Sequence, residues 1–338
     1  MLEKPDIPDE TIIACLVFEY GLNVVQIAFL PLGADRNTAV YRAVTDDAIP
    51  YFVKLRLGDF EETSVALAKH LSDQGIAQVM APLATGTGQL WASLDAFKLI
   101  LYPFVEGRSG YKAGLSDRHW SEFGTTLKAI HTAPVPPALI GRIRRETYSP
   151  QWRETTKAFL EREEGDASDD SVSTRLAAFF KSRRDEILDL VRRAEQLAQS
   201  LRAQSREFIV CHSDIHAGNV LIGANDTFFI VDWDNPVLAP KERDLMFVGG
   251  GLMGPGRTPQ EEESLFYQAY GETQVDPVAL AYYRYERIVQ DIAEYCEQIS
   301  STSEGADRER SFLHLGSIFR PGGVLETAYC SDMTTSST

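Results

Sequence analysis

The stretch FIVCHSDIHAGNVLIGANDTFFIVDWDNP, residues 208–236, constrains this chain more than any other. Two apolar runs, 220–222 and 227–231, flank Gly223-Ala224-Asn225-Asp226, whose residues tolerate the left-handed backbone of a tight turn, so the segment predicts an antiparallel hairpin. The outer ends of such a hairpin lie together. Asn219 enters and Asp232 leaves at that open end, and Asp214 belongs to the loop just before it.

Two carboxylates and an amide oxygen that converge make an oxygen cage suited to Mg²⁺, a hard cation that keeps part of its water shell. The spacing His212-x-Asp214-x4-Asn219, with Asp232 after the next strand pair, is that of phosphoryl transfer. In that chemistry a loop Asp orients the acceptor hydroxyl, an Asn holds metal, and a later Asp bridges metal and phosphates. Two plainer readings stand beside it. Asp214 and Asn219 can cap loop backbone, the common task of these residues in turns. Alternatively His212, His216 and Asp214 can belong to a zinc or iron cluster. Against the cluster, His70, His119, His131 and His314 are isolated and supply no further ligands. His212 reads as a hydrogen-bonding buttress of the loop.

The rest of the chain changes character near residue 102. Before it come a helix over 9–20, a strand near 25–31, a hairpin of 39–44 with 51–57, a helix over 61–72 stopped at Asp73-Gln74-Gly75, and a strand over 97–102. After it, helical patterns dominate, at 116–131, 177–201 and 277–299. The expected fold class is α+β with two lobes: a small β-rich N-terminal lobe, 1–102, a hinge, 103–107, and a larger, mainly helical lobe, 108–330. The acidic run 161–173 reads as a mobile connection, and the Ser/Thr-rich residues 331–338 as a disordered tail.

Composition narrows the partners. Among 338 residues, 49 acidic against 33 basic side chains leave a formal charge of -16, which disfavours nucleic acid and draws cationic ligands, although acidity also serves solubility. No run approaches the roughly 18 apolar residues of a membrane span, and residues 1–10 are too charged for an export signal. The four cysteines, 15, 211, 296 and 330, form no CxxC pair, so a reducing cytoplasm is the expected compartment.

With these motifs in hand the chain resembles the aminoglycoside phosphotransferases, antibiotic-kinase relatives of the protein kinases, and within them the spectinomycin branch. The likeness runs over roughly residues 1–330. It rests on Gly33-Ala34-Asp35-Arg36-Asn37, Tyr51-Phe52-Val53-Lys54, Tyr102-Pro103-Phe104, the run from Cys211 to Val220, Val231-Asp232-Trp233-Asp234 and the run from Ala239 to Phe247.

The resemblance implies a protein-kinase-like fold and ATP with Mg²⁺ as cofactors. The acceptor would be a cationic aminoglycoside or aminocyclitol, and the working state a monomer. Asp214 becomes the catalytic base, Asn219 and Asp232 the metal ligands, and Lys54 the lysine on the α- and β-phosphates. Of Glu61 and Glu62, the second fits the family's spacing for the carboxylate that orients this lysine. Gly33 and Asp35 sit in the loop that would cover the phosphates, and the backbone of Tyr102 and Phe104 would meet the adenine edge. Asp234 is expected beside the reacting hydroxyl, with Glu286, Asp291 and Glu294 as candidate carboxylates for the acceptor. Asp244 is expected to cap a helix and brace the catalytic loop. A metabolic kinase for choline, homoserine or methylthioribose would keep every ATP-side residue, and a regulatory pseudokinase would keep the nucleotide site without turnover.

Overall fold

In a computed structural model of the chain the described residues are 4–33, 35, 37–162, 171–301 and 305–335. They form two compact units, each discontinuous in sequence. The first comprises 1–113, 125–143 and 217–236; the second comprises 114–124, 144–216 and 237–338.

The first unit is organised by a five-stranded antiparallel sheet. Its strands are β1 (Val24–Leu30), β2 (Thr38–Thr45), β3 (Pro50–Leu57), β4 (Ala92–Leu94) and β5 (Phe97–Pro103), in the order β1-β2-β3-β5-β4. Alternation along β3 sends Val53 and Leu55 into a core shared with Tyr41, Leu99 and Leu101 and with Ile12 and Leu16 of the first helix, Asp9–Tyr20. Burying each such aliphatic side chain contributes about 1.5–3 kcal/mol. The residue between them, Lys54, therefore leaves the sheet on the opposite face. It stands opposite Val40 of β2 and Ile100 of β5.

The first helix ends where Gly21 turns left-handed (φ 67°) and its N–H reaches the Val17 carbonyl at 3.0 Å. The next helix, Glu62–Asp73, buries Val65, Leu67, Ala68 and Leu71 and stops just ahead of Gly75 (φ 90°), at the expected Asp-Gln-Gly.

A second, three-stranded sheet in this unit contains the expected hairpin. Val220–Gly223 pairs with Phe228–Ile230 in the register Ile230↔Val220, and Gly107–Ser109 lines the other side. The strands approach so closely at Gly107 that a Cβ there would lie 2.4 Å from the Ile222 carbonyl, which requires glycine. At the open end the Val231 N–H donates to the Asn219 carbonyl at 3.0 Å, so Asn219 and Asp232 emerge side by side along the backbone.

The second unit carries a small sheet, Arg144–Arg145, Val237–Ala239 and Ile209–Cys211, and most of the helices. Its core is made by Leu176, Phe180, Ile187 and Leu190 of the helix Ser171–Arg202 against Tyr285, Ile288, Val289 and Ile292 of the helix Pro277–Ser301. Three- and four-residue steps between these positions are the signature of an apolar helix face. The helix Pro259–Tyr270 starts with a capping box: Thr258 accepts the Glu261 N–H, and the Glu261 carboxylate accepts the Thr258 N–H at 2.8 Å.

Of the two stretches expected to be loose, the acidic run is described only at its ends and the C-terminal one is helical up to Thr335. Glu161 and Arg162 end the helix Gln151–Arg162, residues 171–173 open the next helix, and residues 163–170 of the acidic run lie outside the described residues. Ser331–Thr335 continue the helix Val324–Thr335 instead of forming a tail. Asp332 explains this, because its carboxylate receives Arg193 at 2.5 Å and the Tyr285 hydroxyl at 3.1 Å and so pins the last turns. Residues 336–338 lie outside the described residues.

Candidate active site

The functional motif is divided between the units, with His212–His216 in the second and 217–236 in the first. In the first unit Lys54 is the centre. Its Nζ lies 2.8 Å from Asp232 Oδ1 and 2.8 Å from both carboxylate oxygens of Asp234, residues 178 and 180 positions away. The lysine side chain is only 9% exposed. Burial pulls its pKa down, but the two carboxylates outweigh burial and leave it raised, so Lys54 stays charged.

Arg56, two residues on along the same strand face, extends this network. Its Nη1 donates to Asp234 Oδ2 at 2.9 Å, to Asp35 Oδ2 at 2.6 Å and to Thr38 Oγ1 at 3.1 Å. Asp35 also accepts the Asn37 N–H at 2.8 Å, which closes the short loop ahead of β2. Gly33 precedes that loop at φ 90°, a backbone that disfavours any side chain. Asp232 itself is left-handed at φ 65° without being glycine, and its side chain is 47% exposed. A non-glycine residue held in that region is locally strained, as residues at reacting centres often are. Asn219 is buried and closes a short 3₁₀ turn, Ala217–Asn219.

In the second unit the loop around Asp214 is held from below by Asp244. One carboxylate takes the backbone N–H of His212 at 2.9 Å and of Ser213 at 2.7 Å, an unusual fixation that suits the left-handed Ser213 (φ 72°). This is the bracing expected of Asp244, although the residue lies inside the short helix Glu242–Leu245 and not at its N-cap, which is Lys241. His212 is buried, and its Nδ1 accepts the Asp214 N–H at 3.3 Å, which commits that nitrogen to the loop.

The Asp214 carboxylate pairs with Arg287 Nη1, and Arg287 Nε donates to Asp291 Oδ1 at 2.8 Å. Burial raises the pKa of Asp214, but Arg287, with His216 and His212, more than reverses this and brings it to about 2. Asp291, buried beside Glu294 and Asp214, is pushed up to about 6 against the pull of Arg287. A guanidinium seated on Asp214 is a poor neighbour for a zinc or iron cluster there.

Several expected site residues have partners that the sequence did not suggest. Glu62 pairs with Arg142 at 3.4 Å, and the carboxylates on Lys54 are Asp232 and Asp234. Asp234, expected beside the acceptor hydroxyl, belongs to the Lys54–Arg56 network. Glu286 is a core residue: its carboxylate receives Arg153 Nη1 at 2.9 Å, and burial pushes its pKa up to about 7 against that pull. Glu294 accepts from Gln290 Nε2 at 2.7 Å. Tyr102 faces Phe52 across β5 and β3, with burial pushing its phenol pKa up while Lys54 draws it down. The Phe104 ring carries the Arg42 guanidinium 5.2 Å from its centroid.

Two residues were given no role from the sequence. Arg56 shares the strand face of Lys54, and Arg287 stands four residues before Asp291, the spacing of a helical ion pair.

A sheet unit with a buried lysine on two post-hairpin carboxylates, and a helical unit with a braced loop carboxylate, define the kinase-like phosphotransferase class. The chain belongs to the phosphotransferase enzyme family, whose model matches residues 28–283, and it is a phosphotransferase.

Among solved structures it is similar to spectinomycin phosphotransferase APH(9)-Ia in complex with ADP and spectinomycin, at 37% identity and a TM-score of 0.90, over 97% of this chain and 99% of that one. The AMP-bound complex of the same enzyme matches at 36% identity and TM-score 0.85, over 96% and 98% of the two chains. An amicoumacin kinase with AMP-PNP and Ca²⁺, 17% identical over 92% and 93% of the chains with a TM-score of 0.61, shares the fold. The search of curated protein sequences gave no match. No helix among the described residues is long and apolar enough to cross a membrane.

Proposed function

We propose that the protein transfers the γ-phosphoryl group of ATP to a hydroxyl of an aminoglycoside or aminocyclitol antibiotic, with spectinomycin as the first candidate, and so confers resistance. The observation that carries the reaction is the grip of Asp232 and Asp234 on Lys54, which joins the strand lysine to the residues that follow the hairpin. The choice of acceptor is supported by likeness to a spectinomycin-bound phosphotransferase over nearly the whole chain.

The donors at the hairpin's open end fit magnesium. Asp232 offers a half-exposed carboxylate and Asn219 an amide oxygen, both hard ligands. Magnesium, when bound there, would neutralise charge on the phosphates. Lys54 would exchange its carboxylate partners for phosphate oxygens, whose negative charge would keep it protonated against burial as the two aspartates do here. Asp214 would orient the acceptor hydroxyl and accept its proton on a carboxylate oxygen, with Asp244 and His212 keeping the loop in place. Gly33 and Asp35 would shape the loop over the phosphates, and Tyr102 and Phe104 would lie along the nucleotide. Four free cysteines, three of them buried, suit a reducing cytoplasm, and a monomeric working state is part of the proposal.

The decisive experiment incubates the purified protein with Mg·ATP and a panel of alcohols: spectinomycin, other aminoglycosides, choline, homoserine and methylthioribose. ADP release and phosphorylated product are read together. Phosphorylated spectinomycin is the expected result. Preferred turnover of choline, homoserine or methylthioribose would replace the substrate assignment, and nucleotide binding without transfer to any alcohol would replace the enzyme assignment with a regulatory one.

A further inference from the structure

Asp244 and His212 fix the backbone around Asp214, but neither holds its carboxylate in place. His216 Nε2 lies 3.7 Å from Asp214 Oδ2, and the closer hold on the carboxylate comes from the helix Pro277–Ser301, where Arg287 meets Asp214 Oδ1 through Nη1 and Asp291 through Nε at 2.8 Å. The Arg287 side chain is 15% exposed and that of Asp291 13%, and the guanidinium carbon lies 5.9 Å from the centre of the Phe247 ring. Arg287 and Asp291 also line a small pocket with Met246, Leu252, Ile288 and Val324. Glu294, one turn farther along, is engaged by Gln290, which leaves Asp291 as the carboxylate that steadies Arg287.

We infer that Arg287 is a positioning residue for phosphoryl transfer: anchored by Asp291, it fixes one carboxylate oxygen of Asp214, so that the group presents itself to the acceptor hydroxyl in a single orientation. The inference rests on Asp214 being the acceptor-orienting carboxylate proposed above.

The physical reasons are geometric and electrostatic. A guanidinium is a planar fork whose nitrogens can satisfy two carboxylates at once, which an ammonium on a flexible stem does less well. Pinned at both ends, the fork removes rotamer freedom from Asp214 before substrate arrives, and pre-set orientation of this kind is a large part of what an enzyme contributes to a transfer between two bound groups. Arg287 also offsets charge. Without it Asp291, largely buried, and Asp214, 35% exposed, would lose the cation they share, which favours protonation or a turn away from each other.

The test compares wild type with Arg287→Met and Asp291→Asn, using the panel alcohol turned over fastest, and measures kcat, the KM of each substrate, Mg·ADP affinity by calorimetry and thermal unfolding. The expected result for Arg287→Met is a fall in kcat of about a hundredfold, the cost of a misplaced reacting group, with ADP affinity and both KM values little changed. Asp291→Asn should follow in the same direction with a smaller loss.

A raised acceptor KM at unchanged kcat would overturn the inference and make Arg287 a substrate-binding group. If Arg287→Met does not fold, Arg287→Lys, which keeps the charge and loses the fork, takes its place, and wild-type kcat in both Arg287→Lys and Asp291→Asn would overturn the inference equally. A wild-type protein that binds Mg·ADP yet transfers phosphate to no alcohol removes the functional reading, and this inference with it.

Discussion

Lys54 in the first unit and Arg287 in the second are both largely buried cations gripped by two carboxylates, but they reach that state by different routes. Lys54 is held only from afar, by residues 178 and 180 positions away, so its environment exists only when the sheet and the hairpin are both formed. Arg287 is held partly by its own helix, through the i,i+4 pair with Asp291, and partly by Asp214 at a separation of 73. A tertiary pairing can be built around an exchange of partners, because nothing in the local chain depends on it. A local pair is better suited to holding something still. The contrast fits the proposed division of labour, in which Lys54 changes partner when nucleotide arrives and Arg287 does not.

The largest effect that would sharpen or break this contrast comes from Asp214 itself. Asp214→Asn keeps the size of the side chain and loses the proton acceptor, and turnover should fall by about 10³–10⁴-fold. Because Lys54, Asn219 and Asp232 are untouched, Mg·ADP affinity measured by calorimetry should stay near wild type. Near-normal turnover would remove Asp214 from the chemistry.

Next comes Lys54→Met, which strips the cation from Asp232 and Asp234 and leaves the acceptor side intact. Here kcat/KM for ATP should drop by about 10²–10³-fold, while the acceptor KM measured at saturating ATP moves little. A loss confined to stability, with kinetics preserved, would mean that Lys54 serves only to neutralise its two carboxylates.

How much of this was legible in sequence depended on the same distinction between distant and local pairing. The hairpin and its convergent ends could be read because turn chemistry and strand alternation are local, and the 214–219–232 spacing carries a known chemistry. The strand holding Lys54 was readable for the same reason, whereas the partners of Lys54 were not. Asp234 was placed by its distance from Asp232 along the chain, and that distance says nothing of the Lys54–Arg56 strand face that it meets.

Glu286 was misjudged for a different reason. It lies at helical spacing from Tyr282, Tyr283 and Val289, all buried, and periodicity alone puts it on the apolar face. Only the unusual presence there of a buried arginine from the helix Gln151–Arg162 makes a carboxylate tolerable. Glu286→Leu tests this reading: Arg153, 1% exposed, would lose its counter-ion, and denaturant unfolding should show a loss of about 3 kcal/mol, the lower end for a broken buried pair because burial keeps Glu286 only partly charged. Acceptor KM should be unchanged at a temperature where the variant is folded; a large increase would return Glu286 to the substrate pocket.

The smallest effect separates two accounts of what orients Lys54. Family resemblance gives that role to Glu62, and in this structure Glu62 instead faces Arg142 at 3.4 Å, with side chains 50% and 57% exposed. Exposed ion pairs of that kind contribute about 0–1 kcal/mol, since water screens them and long side chains lose freedom to form them. If Asp232 and Asp234 alone steady the lysine, Glu62→Gln should leave the melting temperature almost unmoved and lower kcat/KM for ATP by no more than about threefold. If Glu62 instead leaves Arg142 for Lys54 once nucleotide displaces the two aspartates, Glu62→Gln should lose nearly as much activity as Lys54→Met, and the partner exchange proposed for the lysine would then include a third carboxylate.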